Sequence, residues 1–353
     1  MNTEDADFLA GLFDAEGEKT QKFFCVFKHG HLLLLLPQDR THSLRALTLY
    51  QAQSFKARIY VMYLRCLLFL KAHFLIESLE LGDFQEPYQF LSENDFVGFL
   101  LGNPHSESRK IIAYHSIGDK ASVTKFALDS KTTISVSKEM EDLEEINQSL
   151  KGASNISNKY LSEDRSYAYY TVDWVDGRTP RKADNKMLAD LIESWIKSNQ
   201  KVSLGDTDVW QEITRLTSDN EYSEVITELA EKKVLMAAVH GDFSPWNIKI
   251  SIDGTVNVLD WESYHSNGIA GVDLAHYLVQ SKSLISKMWP HEVIDILIFW
   301  AKSEEGVEVL DQLGWGDDYL SWIGCYLFDA QCKVGYDREE LIKSWKERND
   351  LGS

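Results

Sequence analysis

Val239-His240-Gly241-Asp242-Phe243-Ser244-Pro245-Trp246-Asn247-Ile248 is followed, ten residues on, by Val258-Leu259-Asp260-Trp261-Glu262. Asp242 stands five residues before Asn247, and Asp260 thirteen after it. Apolar and β-branched residues flank both polar clusters, so each reads as a short loop held between buried segments. Asp253-Gly254 is a turn signal between them. A hairpin closed by that turn would fold Asp260 back beside Asn247.

Two oxygen-bearing side chains brought together in this way suit a hard cation such as Mg²⁺. A carboxylate on a neighbouring constrained loop suits the orientation of a hydroxyl and acceptance of its proton. With a lysine to neutralise phosphate charge, these are the parts that phosphoryl transfer from a nucleoside triphosphate requires. Asp242 is therefore expected as the catalytic residue, and Asn247 and Asp260 as metal ligands. His240 reads as a residue that fixes the loop, and Phe243, Pro245 and Trp246 as residues that shape it. Asp273 reads as a brace or helix cap. Glu262 reads either as lining for an acceptor or as help at the metal, and Ser244 as a phosphate contact or a turn residue.

The pattern His-Gly-Asp-x-x-x-x-Asn followed by Asp-Trp-Glu resembles the aminoglycoside phosphotransferase/choline kinase family, whose fold is protein-kinase-like. Protein kinases share the Asp-to-Asn spacing. The resemblance implies a bilobal α+β fold: a small antiparallel-sheet lobe, a mostly helical C-terminal lobe and here an N-terminal α/β extension. It also implies a small-lobe lysine and a helix glutamate. Lys125, mid-strand in Val123-Thr124-Lys125-Phe126-Ala127, and Glu139, expected at the start of a helix, match those roles. Bound ATP, with GTP as the alternative, would further touch Ser106 and Ser108, and Trp174 and Val175 at the hinge. The turn Gly102-Asn103-Pro104-His105-Ser106-Glu107-Ser108 departs from the glycine-rich phosphate loop of protein kinases. Together with Arg109-Lys110, Lys125 and Glu139, it looks like a bacterial subgroup associated with polysaccharide and cell-surface biosynthesis. That subgroup carries a leading segment like residues 22–95.

The remainder of the 353-residue chain divides accordingly. All ten tryptophans lie at or after Trp174, which sets an expected boundary near residue 172. The expected divisions are an extension over 1–95, a nucleotide-binding lobe over 96–172 and a catalytic and acceptor-binding lobe over 173–353. Residues 1–20 read as an acidic, frayed end. Residues 21–36 read as a hairpin or two buried strands about Lys28-His29-Gly30-His31, and 43–78 as helical. Strands are expected at 96–101, 111–115, 122–128 and 166–172. Helices are expected over 184–198 and 222–236 and from Asp273 onward.

A net charge of −19 argues against nucleic-acid binding, which needs a basic field. Against that background, Lys22 to Lys71 holds eight basic residues and one acidic, Asp39. This block reads as a solvated face or as a dock for a membrane surface or protein partner. Four cysteines without a CxxC pair and an N-terminus without a signal pattern predict a cytoplasmic protein. The next helix is expected only thirteen residues after Asp260, and no Ala-Pro-Glu follows. That leaves no room for a protein kinase's activation segment and favours a small hydroxylated acceptor. Tyr264, Trp289, Trp322, Tyr326 and Asp329 are expected to wall its pocket. The alternatives are an aminoglycoside-type antibiotic phosphotransferase and a pseudokinase-like binding protein docking through residues 22–71.

Overall fold

The structure is a computed structural model that describes residues 3–14, 20–50, 52, 55–102, 110–127, 129–164, 167–217, 222–283, 289–329 and 338–350. It divides into two compact units, Met1–Glu144 with Ser154–Trp174, and Glu145–Ala153 with Val175–Ser353.

In the first unit, α1 (Thr3–Leu12) stands where part of a frayed end was expected; residues 1–2 and 15–19 of that stretch lie outside the described residues. Leu9, Leu12 and Phe13, at helical spacing, are buried, which is why this acidic segment is anchored. The apolar runs that follow form β1 (Gln21–Lys28) and β2 (His31–Pro37), a hairpin turning on His29-Gly30. Both turn residues have positive φ, 54° and 84°, the two-residue turn whose twist suits the strands it joins. The runs are unbroken because both faces of these strands are covered. Phe23, Cys25 and Leu35 join one core with Phe99, while Phe24, Val26, Leu34 and Leu36 join another with Val61, Leu64 and Leu68.

The helix expected over 43–78 is two helices, α2 (Arg40–Ala46) and α3 (Phe55–Phe69). The Asp39 carboxylate caps α2 by accepting the His42 N–H at 3.0 Å, and Tyr50 leaves the helical region at φ −84°, ψ 112°. Then come β3 (Ser78–Leu81), β4 (Phe96–Leu100), β5 (Ile111–Ile117), β6 (Lys120–Phe126), α4 (Ser130–Ser149), β7 (Ile156–Leu161) and β8 (Ala168–Asp173). All eight strands form one antiparallel sheet in the order β3-β1-β2-β4-β5-β6-β8-β7. Residues 21–81 and 96–173 therefore supply strands to a single sheet.

The second unit contains α5 (Asn185–Glu193), β9 (Val202–Ser203), α6 (Asp208–Thr217), α7 (Ser223–Ala230), β10 (Lys233–Val234) and β11 (Met236–Val239). The helix expected over 222–236 stops at Ala230, because Lys233 and Val234 pair with β9 and the buried run Met236 to Val239 pairs with the later segment His265–Ile269. Next come β12 (Ile248–Ile250), β13 (Val256–Val258) and β14 (His265–Ile269). The remainder is helical: α8 (Val272–Ser283), α9 (Pro290–Ala301), α10 (Glu304–Gln312), α11 (Tyr319–Asp329) and α12 (Arg338–Asp350). Its core is rich in tryptophan, with Trp195, Trp210, Trp261, Trp322 and Trp345 fully buried. Their indole N–H groups find backbone carbonyls, as buried indoles require: Trp195 donates to Lys151, Trp210 to Ile226, Trp261 to Val258, Trp322 to Gly271 and Trp345 to Leu320.

Candidate active site

β11 delivers the chain to His240, and Gly241 turns it with φ 78°. The turn is held by Asp273, at the start of α8. Its carboxylate accepts the backbone N–H of His240 at 2.6 Å and that of Gly241 at 3.0 Å. Asp273 is thus a brace for the loop. His240 is fully buried. Its Nδ1 accepts the Asp242 N–H at 3.2 Å, so its Nε2 carries the proton and donates to the Leu259 carbonyl at 3.0 Å. Burial pushes the imidazole pKa down to about 4, so the ring is neutral near pH 7. It works as a strut between two loops.

Beyond it, the Asp242 carboxylate collects three donors. Ser244 Oγ donates to Oδ1 at 2.7 Å and Asn247 Nδ2 to Oδ2 at 3.1 Å, while His276 Nε2 lies 3.1 Å from Oδ1. Burial alone would raise this group's pKa, but the hydrogen bonds from His276 and Ser244 bring it below the ordinary carboxylate value. Asp242 is therefore an anion at neutral pH. Its side chain is 34% exposed against 5% for His276, so the carboxylate can meet a substrate and the imidazole behind it cannot.

Asn247 and Asp260 are joined by the hairpin anticipated from Asp253-Gly254. β12 and β13 pair Ile248 with Val258 and Ile250 with Val256. One step further, Leu259 donates its N–H to the Asn247 carbonyl at 2.7 Å. Asp260 follows with φ 65°, a left-handed conformation that Asp tolerates better than most residues. The Asn247 amide nitrogen is committed to the carboxylate and carbonyl of Asp242, which fixes the amide and leaves its oxygen on the other branch. The Asp260 and Glu262 carboxylates come within 4.8 Å of each other. An amide oxygen and two carboxylates are all hard donors, a set that fits Mg²⁺.

The first unit holds the second group. Lys125 on β6 stands directly opposite Tyr170 on β8, so both point to the same side of the sheet. Lys125 Nζ contacts both Glu139 oxygens at 2.8 Å, and Tyr170 Oη donates to Glu139 Oε1 at 2.7 Å. Lys110 approaches Glu139 at 3.9 Å. Glu139 is buried in the middle of α4, not at its start. The helix begins earlier because the Asp129 carboxylate accepts the Thr132 N–H at 2.7 Å. The β-branched run Thr132-Thr133-Ile134 disguises that first turn.

Trp174 donates its N–H to Ala121 at 2.9 Å and stands edge-on to Tyr114, and the division between the units falls between it and Val175. Ser106 and Ser108 lie outside the described residues. Of the expected acceptor-pocket residues, Tyr264, Trp322 and Tyr326 are core residues, 4%, 0% and 1% exposed: Tyr264 packs on Trp261, while Trp322 and Tyr326 pack α11 on its neighbours at Trp300 and His276. Trp289 is exposed.

His276, Tyr170 and Lys110 were missed as site residues from the sequence. His276 had a signal: it follows Asp273 by three residues on a helix, so both face the loop. Tyr170 could be found only through the strand register, whereas Lys110 is noted in the sequence beside Arg109 without a role at Glu139.

No protein-family model matches the chain, and no curated protein matches it. Among solved structures, the chain is similar to the GDP complex of aminoglycoside 2'-phosphotransferase-IIIa, at 11% identity over 74% of this chain and 94% of that one, with a TM-score of 0.44. It is similar to choline kinase LicA from Streptococcus pneumoniae at 14% identity over 71% and 91%, with a TM-score of 0.37. A microcompartment-associated aminopropanol kinase is similar at 13% identity over 73% and 92%, with a TM-score of 0.35. At that distance, the chemistry of this chain stands on its own residues.

Proposed function

We propose that this protein is a kinase that transfers the γ-phosphoryl group of ATP or GTP to a hydroxyl of a small molecule. One observation carries this reading. A partly exposed carboxylate, Asp242, is held anionic by Ser244, His276 and Asn247, and the same Asn247 is tied through its carbonyl to the residue before Asp260.

In this mechanism, Asp242 accepts a hydrogen bond from the acceptor hydroxyl and orients its oxygen toward the γ-phosphorus. As the new P–O bond forms and the bond to the β-phosphate oxygen breaks, the hydroxyl proton passes to Asp242 and the nucleoside diphosphate leaves. His276 and Ser244 hold the carboxylate while this occurs. Mg²⁺ would be held by Asn247 and Asp260, with Glu262 as a further ligand, and would neutralise charge on the phosphates. Lys125, aligned by Glu139, is assigned to the phosphates, with Ser106, Ser108, Trp174 and Val175 assigned to the nucleotide.

The segment after Asp260 supports a small acceptor. It runs directly through β14 into α8 at Val272, which leaves no length for a protein-binding activation segment. A sugar of cell-surface polysaccharide metabolism is the proposed acceptor. The cytoplasm, where nucleoside triphosphates and Mg²⁺ are supplied, is the proposed place of action.

The test incubates the purified chain and its Asp242→Asn variant with Mg²⁺ and ATP or GTP. The acceptors are a panel of sugars, together with aminoglycosides, choline and aminopropanol, the compounds named for the similar structures. Transfer by the wild type alone is expected. No transfer to any acceptor, combined with no nucleotide binding by calorimetry, rejects the proposal.

A further inference from the structure

Helix α3 carries apolar side chains on two opposite sides. Val61, Leu64, Leu67 and Leu68 face the core. The opposite side presents Ile59 at 47% exposure, Met62 at 60%, Tyr63 at 51% and Phe69 at 62%, spaced to form one stripe. Beyond the helix end, Phe74 at 80% and Leu75 at 60% are exposed as well. A monomer that leaves large side chains in a contiguous row toward water is presenting a contact surface.

Charge sets the partner. From Arg40 to Ile76 the chain holds six Lys and Arg residues and not one Asp or Glu, in a protein of net charge −19. Arg58, Arg65 and Lys71 lie within or just beyond α3, among the apolar residues. We propose that this face docks on an anionic lipid bilayer, with α3 lying in the plane of the membrane surface. Apolar side chains enter the boundary between headgroups and acyl chains, and the flanking cations meet the anionic headgroups. Fifteen residues are too few to span a bilayer, and no helix among the described residues is long and apolar enough to do so. A second copy of the chain suits the face less well. Two-fold pairing would bring Arg58, Arg65 and Lys71 of one copy toward the same residues of the other, with no acid in the segment to answer them.

The experiment is flotation of the full chain with two kinds of vesicle, one of phosphatidylcholine alone and one with about one third phosphatidylglycerol. Binding to the anionic vesicles is expected to be roughly tenfold stronger and to fall as salt is raised. Met62→Glu, and separately Arg58→Glu with Arg65→Glu, should each lower it by about tenfold or more while leaving the circular dichroism spectrum unchanged. Cys66 shares this helix and is exposed, whereas Cys25 and Cys325 are buried. An environment-sensitive fluorophore on Cys66, in a Cys332→Ser background, should shift to the blue on anionic vesicles only. Equal binding to both vesicles, or binding to neither, overturns the proposal. Self-association that Met62→Glu abolishes, without vesicle binding, would assign the face to a second copy instead.

Discussion

His276 Nε2 lies 3.1 Å from Asp242 Oδ1, although thirty-four residues separate them in the chain. The imidazole also meets Ser244 Oγ at 3.1 Å, and Ser244 itself donates to the same carboxylate oxygen. His276, Ser244 and that oxygen thus form a closed triangle, which leaves the other carboxylate oxygen for the substrate and Asn247. Replacing Asp242 by Asn should keep the fold and nucleotide binding but lower the turnover number by about 10²–10⁴, the range of a lost proton acceptor. Steady-state kinetics beside calorimetry of nucleotide binding will check this.

His276 is a positioning residue, and its removal should be visible in a pH profile. Without this donor, the Asp242 pKa returns toward or above its ordinary value, since burial is then less opposed. His276→Ala should therefore move the acid limb of the rate profile upward and reduce turnover by about tenfold. His276→Gln, which can still donate, should restore part of both. A profile that moves only in height would show that the imidazole is mere packing.

Lys125 and Glu139 are both buried, so removing one strands the other. Lys125→Met is expected to lower stability by about 3 kcal/mol as well as weaken nucleotide binding. The double variant Lys125→Met, Glu139→Leu should recover much of the stability and none of the binding. Denaturant titrations of the four proteins of the cycle test the first claim, and calorimetry the second.

Acid should destabilise the first unit through His115. Its Nδ1 meets Asn94 Oδ1 at 2.9 Å and its Nε2 meets Thr124 Oγ1 at 2.8 Å, while Thr124 in turn meets Thr171. Burial lowers its pKa from 6.5 to about 4. Between those values the unfolded chain binds a proton that the native ring refuses. The stability this residue contributes is therefore complete above pH 6.5 and declines as pH falls toward 4, by on the order of 3 kcal/mol. His240 shifts in the same direction for the same reason. A melting temperature that drops across this window, less steeply in a His115→Gln variant, is the expected result.

How much of this is legible in the sequence is clearest residue by residue. Asn247 and Asp260 could be brought together on paper because a turn of known type lies between them and local pairing does the rest. Lys125 announced itself as a cation amid a buried strand. The helix containing Glu139 could be found but not its beginning, because an Asp129 cap outweighs a β-branched first turn. Tyr170 stayed hidden, since its neighbour Lys125 is reached only through strand pairing across forty-five residues. The tryptophans misled in the other direction. Trp322 reads as a wall for a ligand, yet helix packing consumes it entirely.

The β12–β13 hairpin has a practical consequence. Its register is pinned at the base by Leu259 on Asn247 and by the His240 strut, while at the tip Ile252 stands wholly in water. The distance between Asn247 and Asp260 is thus decoupled from what lies between Ser251 and Thr255. The tip is a natural graft point: a peptide epitope or reporter loop spliced there should ride on the protein without disturbing the residues beneath it.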